Sequence, residues 1–165
     1  MICFVFLFSG CGGDSLEWCD STTFRGCVLR DTDFSGERLD GQSFNGSNLV
    51  GVNFAGASLV NADFSNSDAS SATFDGADLR GAKFSNSRLE RASFRDAKLE
   101  SASFEHTKMW YVDLTNSNLT NANFLAAQMH YSKLDGAKVD GAYFREANLT
   151  GTVLENSAVD PDKGK

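Results

Sequence analysis

Residues 77–95 read Ala77-Asp78-Leu79-Arg80-Gly81, Ala82-Lys83-Phe84-Ser85-Asn86, Ser87-Arg88-Leu89-Glu90-Arg91, Ala92-Ser93-Phe94-Arg95. An apolar residue stands at every fifth position, and a small residue stands two places before it. Extended outward, the beat runs without a slip from Phe24 to Val159, giving 28 consecutive units in a chain of 165 residues. A helix buries residues at a spacing of 3.6 and a strand at 2, so a period of five fits neither. The chain must wind about an axis other than its own, as in a stacked repeat.

Each unit reads as one short side of a coil. The central Phe or Leu points to the axis, the small residue lies inward beside it, and the following residues turn a corner. The position two after each centre carries 11 of the 15 glycines, together with Asn61, Asn66, Asn86, Asn116, Asn121 and Asn156. Gly and Asn are the residues that best accept positive φ or close a local turn. Solvated loops would scatter them instead.

Phenylalanine takes alternate centres from Phe24 to Phe104, so the units form pairs and the number of sides is even. Four sides make a 20-residue coil, which stacks residues 20 apart at about 4.8 Å. Charges agree with that register: Asp63, Asp68, Asp75 and Asp78 are followed 20 residues on by Lys83, Arg88, Arg95 and Lys98. Arg80 over Glu100 and Asp113 under Lys133 extend the pairing, and Arg88 under Lys108 opposes it. Exposed pairs of this kind contribute roughly 0.2–1 kcal/mol each, so they report register more than stability.

The unit Ala77-Asp78-Leu79-Arg80-Gly81, together with Ala122-Asn123-Phe124 and Ala147-Asn148-Leu149-Thr150-Gly151, resembles the repeat of the pentapeptide-repeat proteins. The resemblance covers roughly residues 20–160. It implies an all-β fold, a right-handed quadrilateral parallel β-helix. Residues 22–161 would form that solenoid, with an N-terminal apolar segment and cap over 1–21 and a short tail over 162–165. About seven coils give a rod on the order of 34 Å long. One core column is Phe24, Phe44, Phe64, Phe84, Phe104, Phe124 and Phe144. The opposite column changes from Phe to Leu at Leu114, which narrows the core, and Ala69 predicts a local void or a shifted neighbour.

The N-terminal run Ile2-Cys3-Phe4-Val5-Phe6-Leu7-Phe8 is too short to span a bilayer as a helix. Followed by Ser9-Gly10-Cys11, it resembles a bacterial lipoprotein signal, with Cys11 as the lipid acceptor. That reading attaches the protein to a membrane outside the cytoplasm. Phe8 and the lack of a basic residue ahead of the run depart from such signals. The other reading is a strand that caps the first coil. Removal of Cys3 and lipidation of Cys11 would leave Cys19 and Cys27 as a candidate disulfide, while Cys27 also fits the small inward position of its unit.

Catalytic constellations are missing from the sequence. His106 and His130 lie 24 residues apart, on different sides of the coil, and no metal or triad spacing accompanies them. We therefore expect no enzyme and no cofactor. The net charge of −7 opens a second reading by resemblance, because some pentapeptide-repeat proteins act on type II topoisomerases as acidic rods that mimic duplex DNA. Here the sign reverses along the chain. Residues 80–109 hold seven bases against four acids, so direct nucleic-acid binding is not expected and mimicry is the alternative. On the 20-residue grid Arg91, Trp110, Tyr111, His130 and Tyr131 converge on one side and its corner. They form either a partner-binding patch or a stacking ladder that serves stability. The principal expectation is a binding or structural module with an unidentified protein partner. The C-terminal coil, ending at Leu154 and Val159, offers an end for homodimerisation.

Overall fold

The computed structural model describes residues 23–152. Cys11, Cys19, the segment 1–21, Leu154, Val159 and the tail 162–165 lie outside the described residues. Within them, 21 parallel bridges each join a residue to the one 20 positions later, from Val28 with Asn48 to Gln128 with Asn148. The chain is a right-handed, four-sided parallel β-helix. Its described part amounts to six and a half coils, from 130 residues at 20 per coil. We number the sides by their first centre: face 1 from Phe24, face 2 from Leu29, face 3 from Phe34 and face 4 from Leu39.

The backbone explains why five residues suffice for a side. Phe64 N–H donates to the Lys83 carbonyl at 2.7 Å, and Lys83 N–H donates back to the Ala62 carbonyl at 2.9 Å. Between them the corner closes on itself, with Ser67 N–H donating to the Phe64 carbonyl at 3.2 Å. The third residue of that turn needs positive φ, as in a type II turn. All 26 such positions from Gly26 to Gly151 have it, at 53–73°. The fold thus imposes left-handed backbone on Arg91, Tyr111, Ala126, Tyr131 and Glu146, none of them a residue that favours it.

Polar residues of the repeat serve the same turn. The Asp or Asn before each centre accepts from the backbone N–H two residues on, as Asp63 does from Ser65 at 2.9 Å and Asn148 from Thr150 at 3.0 Å. Where the small inward position is Ser or Thr, its hydroxyl donates to a buried carbonyl: Ser67 and Ser87 to Phe64 and Phe84, both at 2.6 Å. These groups are buried yet satisfied, which removes most of the desolvation cost of placing a hydroxyl in the core.

Two aromatic stacks fill the rod. On face 1 the rings from Phe24 to Phe144 lie parallel, 4.8–5.0 Å apart. On face 3, Phe34, Phe54, Phe74 and Phe94 stack likewise, with centroids 4.7–5.3 Å apart. The two stacks meet edge to face, as Phe64 and Phe74 do at 5.5 Å and 88°. Parallel stacking follows from the coil rise, and the perpendicular meeting is the favourable quadrupolar arrangement. Ala69 is fully buried, and the backbone passes through it undisturbed, with ladder bonds of 2.7 and 2.8 Å.

Charge pairing follows the register only in part. Arg88–Asp68, Lys98–Asp78 and Lys133–Asp113 are ion pairs across coils at 3.7–3.9 Å. Arg80, expected over Glu100, instead reaches back to Asp78 in its own coil with two contacts of 2.8 Å. A planar guanidinium gains more from a bidentate carboxylate two residues away than from a single contact across coils. Arg95 faces Asp75 through its backbone N–H, at 3.0 Å.

Candidate functional site

The corner between faces 2 and 3 is built by the third residue of each turn on face 2: Asp31, Gly51, Ser71, Arg91, Tyr111, Tyr131 and Gly151. Backbone bonds hold this column in register, with Arg91 N–H donating to the Trp110 carbonyl at 2.9 Å and Tyr111 N–H to the His130 carbonyl at 3.0 Å. Three bulky side chains in succession therefore occupy positions that Gly, Asn or Asp fill at 18 of the 26 corners of the described residues.

Tyr111 and Tyr131 stack at 5.3 Å and 13°, and the Tyr131 ring lies over Gly151, filling the space a side chain there would need. Gly151 thus serves both its positive φ and the approach of that ring. Beside them, Trp110 meets His130 at 6.0 Å and 89°. His130 Nδ1 is buried without a hydrogen-bond partner. Trp110, Tyr111 and Tyr131 remain 41%, 56% and 53% exposed, and among the described residues Val28 is the only other exposed large hydrophobic side chain.

The charges around the rings are unequal in their commitments. Glu90, one coil below Trp110, accepts from Ser70 at 3.0 Å and pairs with Arg88 at 3.4 Å. Asp113 accepts from Thr115 at 2.5 Å and pairs with Lys133 at 3.9 Å. Arg91 and Lys108 are exposed and enter no ion pair among the described residues. Lys108 moreover sits in register with Arg88.

Among the described residues no group of His, Cys, Asp and Glu could hold a metal ion. His106 lies at a corner between faces 1 and 2, on the other edge of face 2 from the aromatic corner. Among the described residues no helix is long and apolar enough to cross a membrane. Cys27 is buried in the inward position and is disulfide-bonded, with its partner outside the described residues, as Cys19 also is. The Arg80 guanidinium holds the Asp78 carboxyl below its ordinary value by hydrogen bonding. That is a structural ion pair on face 4. The structure brings Trp110, Tyr111, His130 and Tyr131 together, and Arg91, Tyr111 and Tyr131 stand at the corner position that Gly and Asn mark elsewhere in the repeat.

Comparison with known proteins bears on the whole rod. The model of the pentapeptide repeat region matches residues 18–94 and 82–154. Among solved structures, HetL, a pentapeptide repeat protein involved in heterocyst differentiation regulation from the cyanobacterium Nostoc, is 25% identical with a TM-score of 0.58. The match covers 81% of this chain and 66% of HetL, so the chain spans about two thirds of that relative's length. A pentapeptide repeat protein of the Arabidopsis thaliana thylakoid lumen is 34% identical, over 67% of this chain and 75% of that one, with a TM-score of 0.50. Rfr23 from the cyanobacterium Cyanothece shares the fold at a TM-score of 0.58 and 18% identity, over 78% of this chain and 88% of its own. No curated protein sequence matches the chain. With the unbroken five-residue register, the 20-residue coil and a family model covering most of its length, the chain belongs to the pentapeptide-repeat family.

Proposed function

We propose that the protein is a non-catalytic binding module that holds a protein partner against the corner formed by Arg91, Trp110, Tyr111, His130 and Tyr131. The observation that carries this reading is the run of three bulky residues, Arg91, Tyr111 and Tyr131, in left-handed backbone at φ 62°, 59° and 58°. Each such residue costs on the order of 1 kcal/mol that Gly or Asn would largely avoid. The Tyr111–Tyr131 stack returns roughly 0.5–1.5 kcal/mol, less than the roughly 2 kcal/mol that the two tyrosines cost together. Stability alone therefore gives little reason to keep exposed rings at this corner. Exposed aromatics beside a cation are the composition of binding surfaces.

The test separates binding from stability. Asn already occupies the equivalent corner position at Asn61 and Asn66 with φ 58° and 61°, so Tyr111→Asn with Tyr131→Asn removes the rings and keeps the backbone. The double variant should melt within a few degrees of the parent and lose the partner in affinity capture from the native host. A variant that retains its partner at parental affinity would leave the rings as a stability ladder only.

In the same proposal the module is tethered outside the cytoplasm through a lipid on Cys11. Its support is the sequence alone, the apolar run 2–8 followed by Ser9-Gly10-Cys11. Intact-mass spectrometry of the protein from its native host reads this directly: a mature chain beginning at an acylated Cys11 supports the tether, and an unmodified Met1 removes it.

A further inference from the structure

We infer that the partner segment received by the aromatic corner is acidic: a short peptide stretch in which carboxylates accompany an apolar side chain. This rests on the binding role proposed above and names the chemistry that fills it. Four cations, Arg88, Arg91, Lys108 and Lys133, surround the rings, against the three carboxylates Asp68, Glu90 and Asp113, which leaves +1 at this corner on a chain of net charge −7. All three carboxylates are already held by Arg88 and Lys133, so the cations without an ion pair among the described residues are Arg91 and Lys108.

Two local costs accompany those cations. Lys108 stands directly above Arg88 in a parallel bridge, and like charges in register destabilise a sheet. Arg91 takes a left-handed corner where seven other corners of the described rod use Asn or Asp. The rings add to the same polarity. Tyr111 and Tyr131 cover each other's faces, so what they turn outward is their edges, which carry the positive end of the aromatic quadrupole, and their hydroxyl donors.

Range decides which anionic partner fits. At physiological salt, fields fall off over about 8 Å, so a short peptide lying on the corner feels the unpaired Arg91 and Lys108 more than the rest of the rod. An anionic membrane or a nucleic-acid duplex extends over the whole rod and meets its net negative charge. A peptide segment with one apolar residue among acids can lay that residue against Trp110 while its carboxylates reach Arg91 and Lys108.

The experiment is selection of random twelve-residue peptides on the full chain, followed by fluorescence anisotropy of the winners. Winners should be enriched in Asp and Glu around an apolar residue. Arg91→Glu with Lys108→Glu should weaken them at least tenfold and shift renewed selection toward basic peptides. Lys108→Glu faces Arg88 in register, so folding is not endangered, and an unchanged melting curve checks it. Winners without acidic enrichment that still lose affinity on Tyr111→Asn with Tyr131→Asn would overturn the acidic assignment and keep the corner as a binding site. Winners indifferent to both pairs of substitutions would overturn both. Sedimentation with phosphatidylglycerol vesicles, but not phosphatidylcholine vesicles, that is abolished by Arg91→Glu with Lys108→Glu would assign the corner to lipid and overturn the peptide.

Discussion

Single residues in this protein answer mainly to the corner geometry. Ala126 has φ 53° and neither a side-chain acceptor nor glycine's freedom to ease it. Ala126→Gly should relieve roughly 1 kcal/mol of backbone strain. Part of that is returned through the freer unfolded chain. The expected result is a rise in Tm of about 1–3 °C by calorimetry. A second residue-scale prediction concerns Asp78, whose carboxylate is held below its ordinary value of 3.8 by hydrogen bonding to Arg80, with Lys98 adding charge. A lowered folded-state value means the contribution is present above 3.8 and is lost as pH falls through the folded value. Asp78→Asn keeps the acceptor for the Arg80 N–H but removes the charge. The variant should melt below the parent at pH 7, and the gap should close in acid below about pH 3.8. A gap independent of pH would mean that packing, not charge, distinguishes them. The register of both residues was legible in the sequence, since the period assigns every position. Arg80's choice of Asp78 over Glu100 was not, because it depends on which rotamer reaches a carboxylate in bidentate geometry.

At the scale of the core columns, side-chain size alternates around the coil and repeats along it. Face 1 is aromatic throughout the described rod, whereas face 3 passes from Phe94 to Leu114 and Leu134. Face 2, otherwise Leu or Met, carries one small centre, Ala69 between Leu49 and Leu89. The residues around it are those found elsewhere in the rod, Leu59 and Leu79 on face 4 and Phe64 and Phe74 on faces 1 and 3, so none is enlarged to compensate. Ala69→Leu should restore the column and stabilise the protein by about 2 kcal/mol, the usual cost of the reverse change in a core. A lower Tm would show that the coil had closed around the alanine, so that leucine overpacks it. Here the sequence was informative because a column of identical residues exposes any exception. It could not say how the backbone responds, and the ladder bonds pass Ala69 without a shift.

The whole molecule is quasi-linear, each coil touching only its neighbours, so surface properties accumulate locally and do not average. This bears on the two readings of its acidity. A DNA mimic needs acids free along the rod, but Asp68, Asp78 and Asp113 are paired across coils and Glu90 within one. Gyrase supercoiling should therefore proceed uninhibited at micromolar protein, and dose-dependent inhibition would restore the mimic.

By itself the sequence determined the four-sided coil, its 20-residue register and the identity of every core column. An unbroken period leaves no freedom in how units stack, and parallel ladder bonds reward only that stacking. It also brought Trp110, Tyr111, His130 and Tyr131 together, since lattice position follows from number alone. Only the tertiary structure decided that the tyrosine rings cover each other and Gly151, and that Arg91 and Lys108 enter no ion pair among the described residues. Those outcomes depend on the reach of individual side chains. A repeat pattern does not carry it.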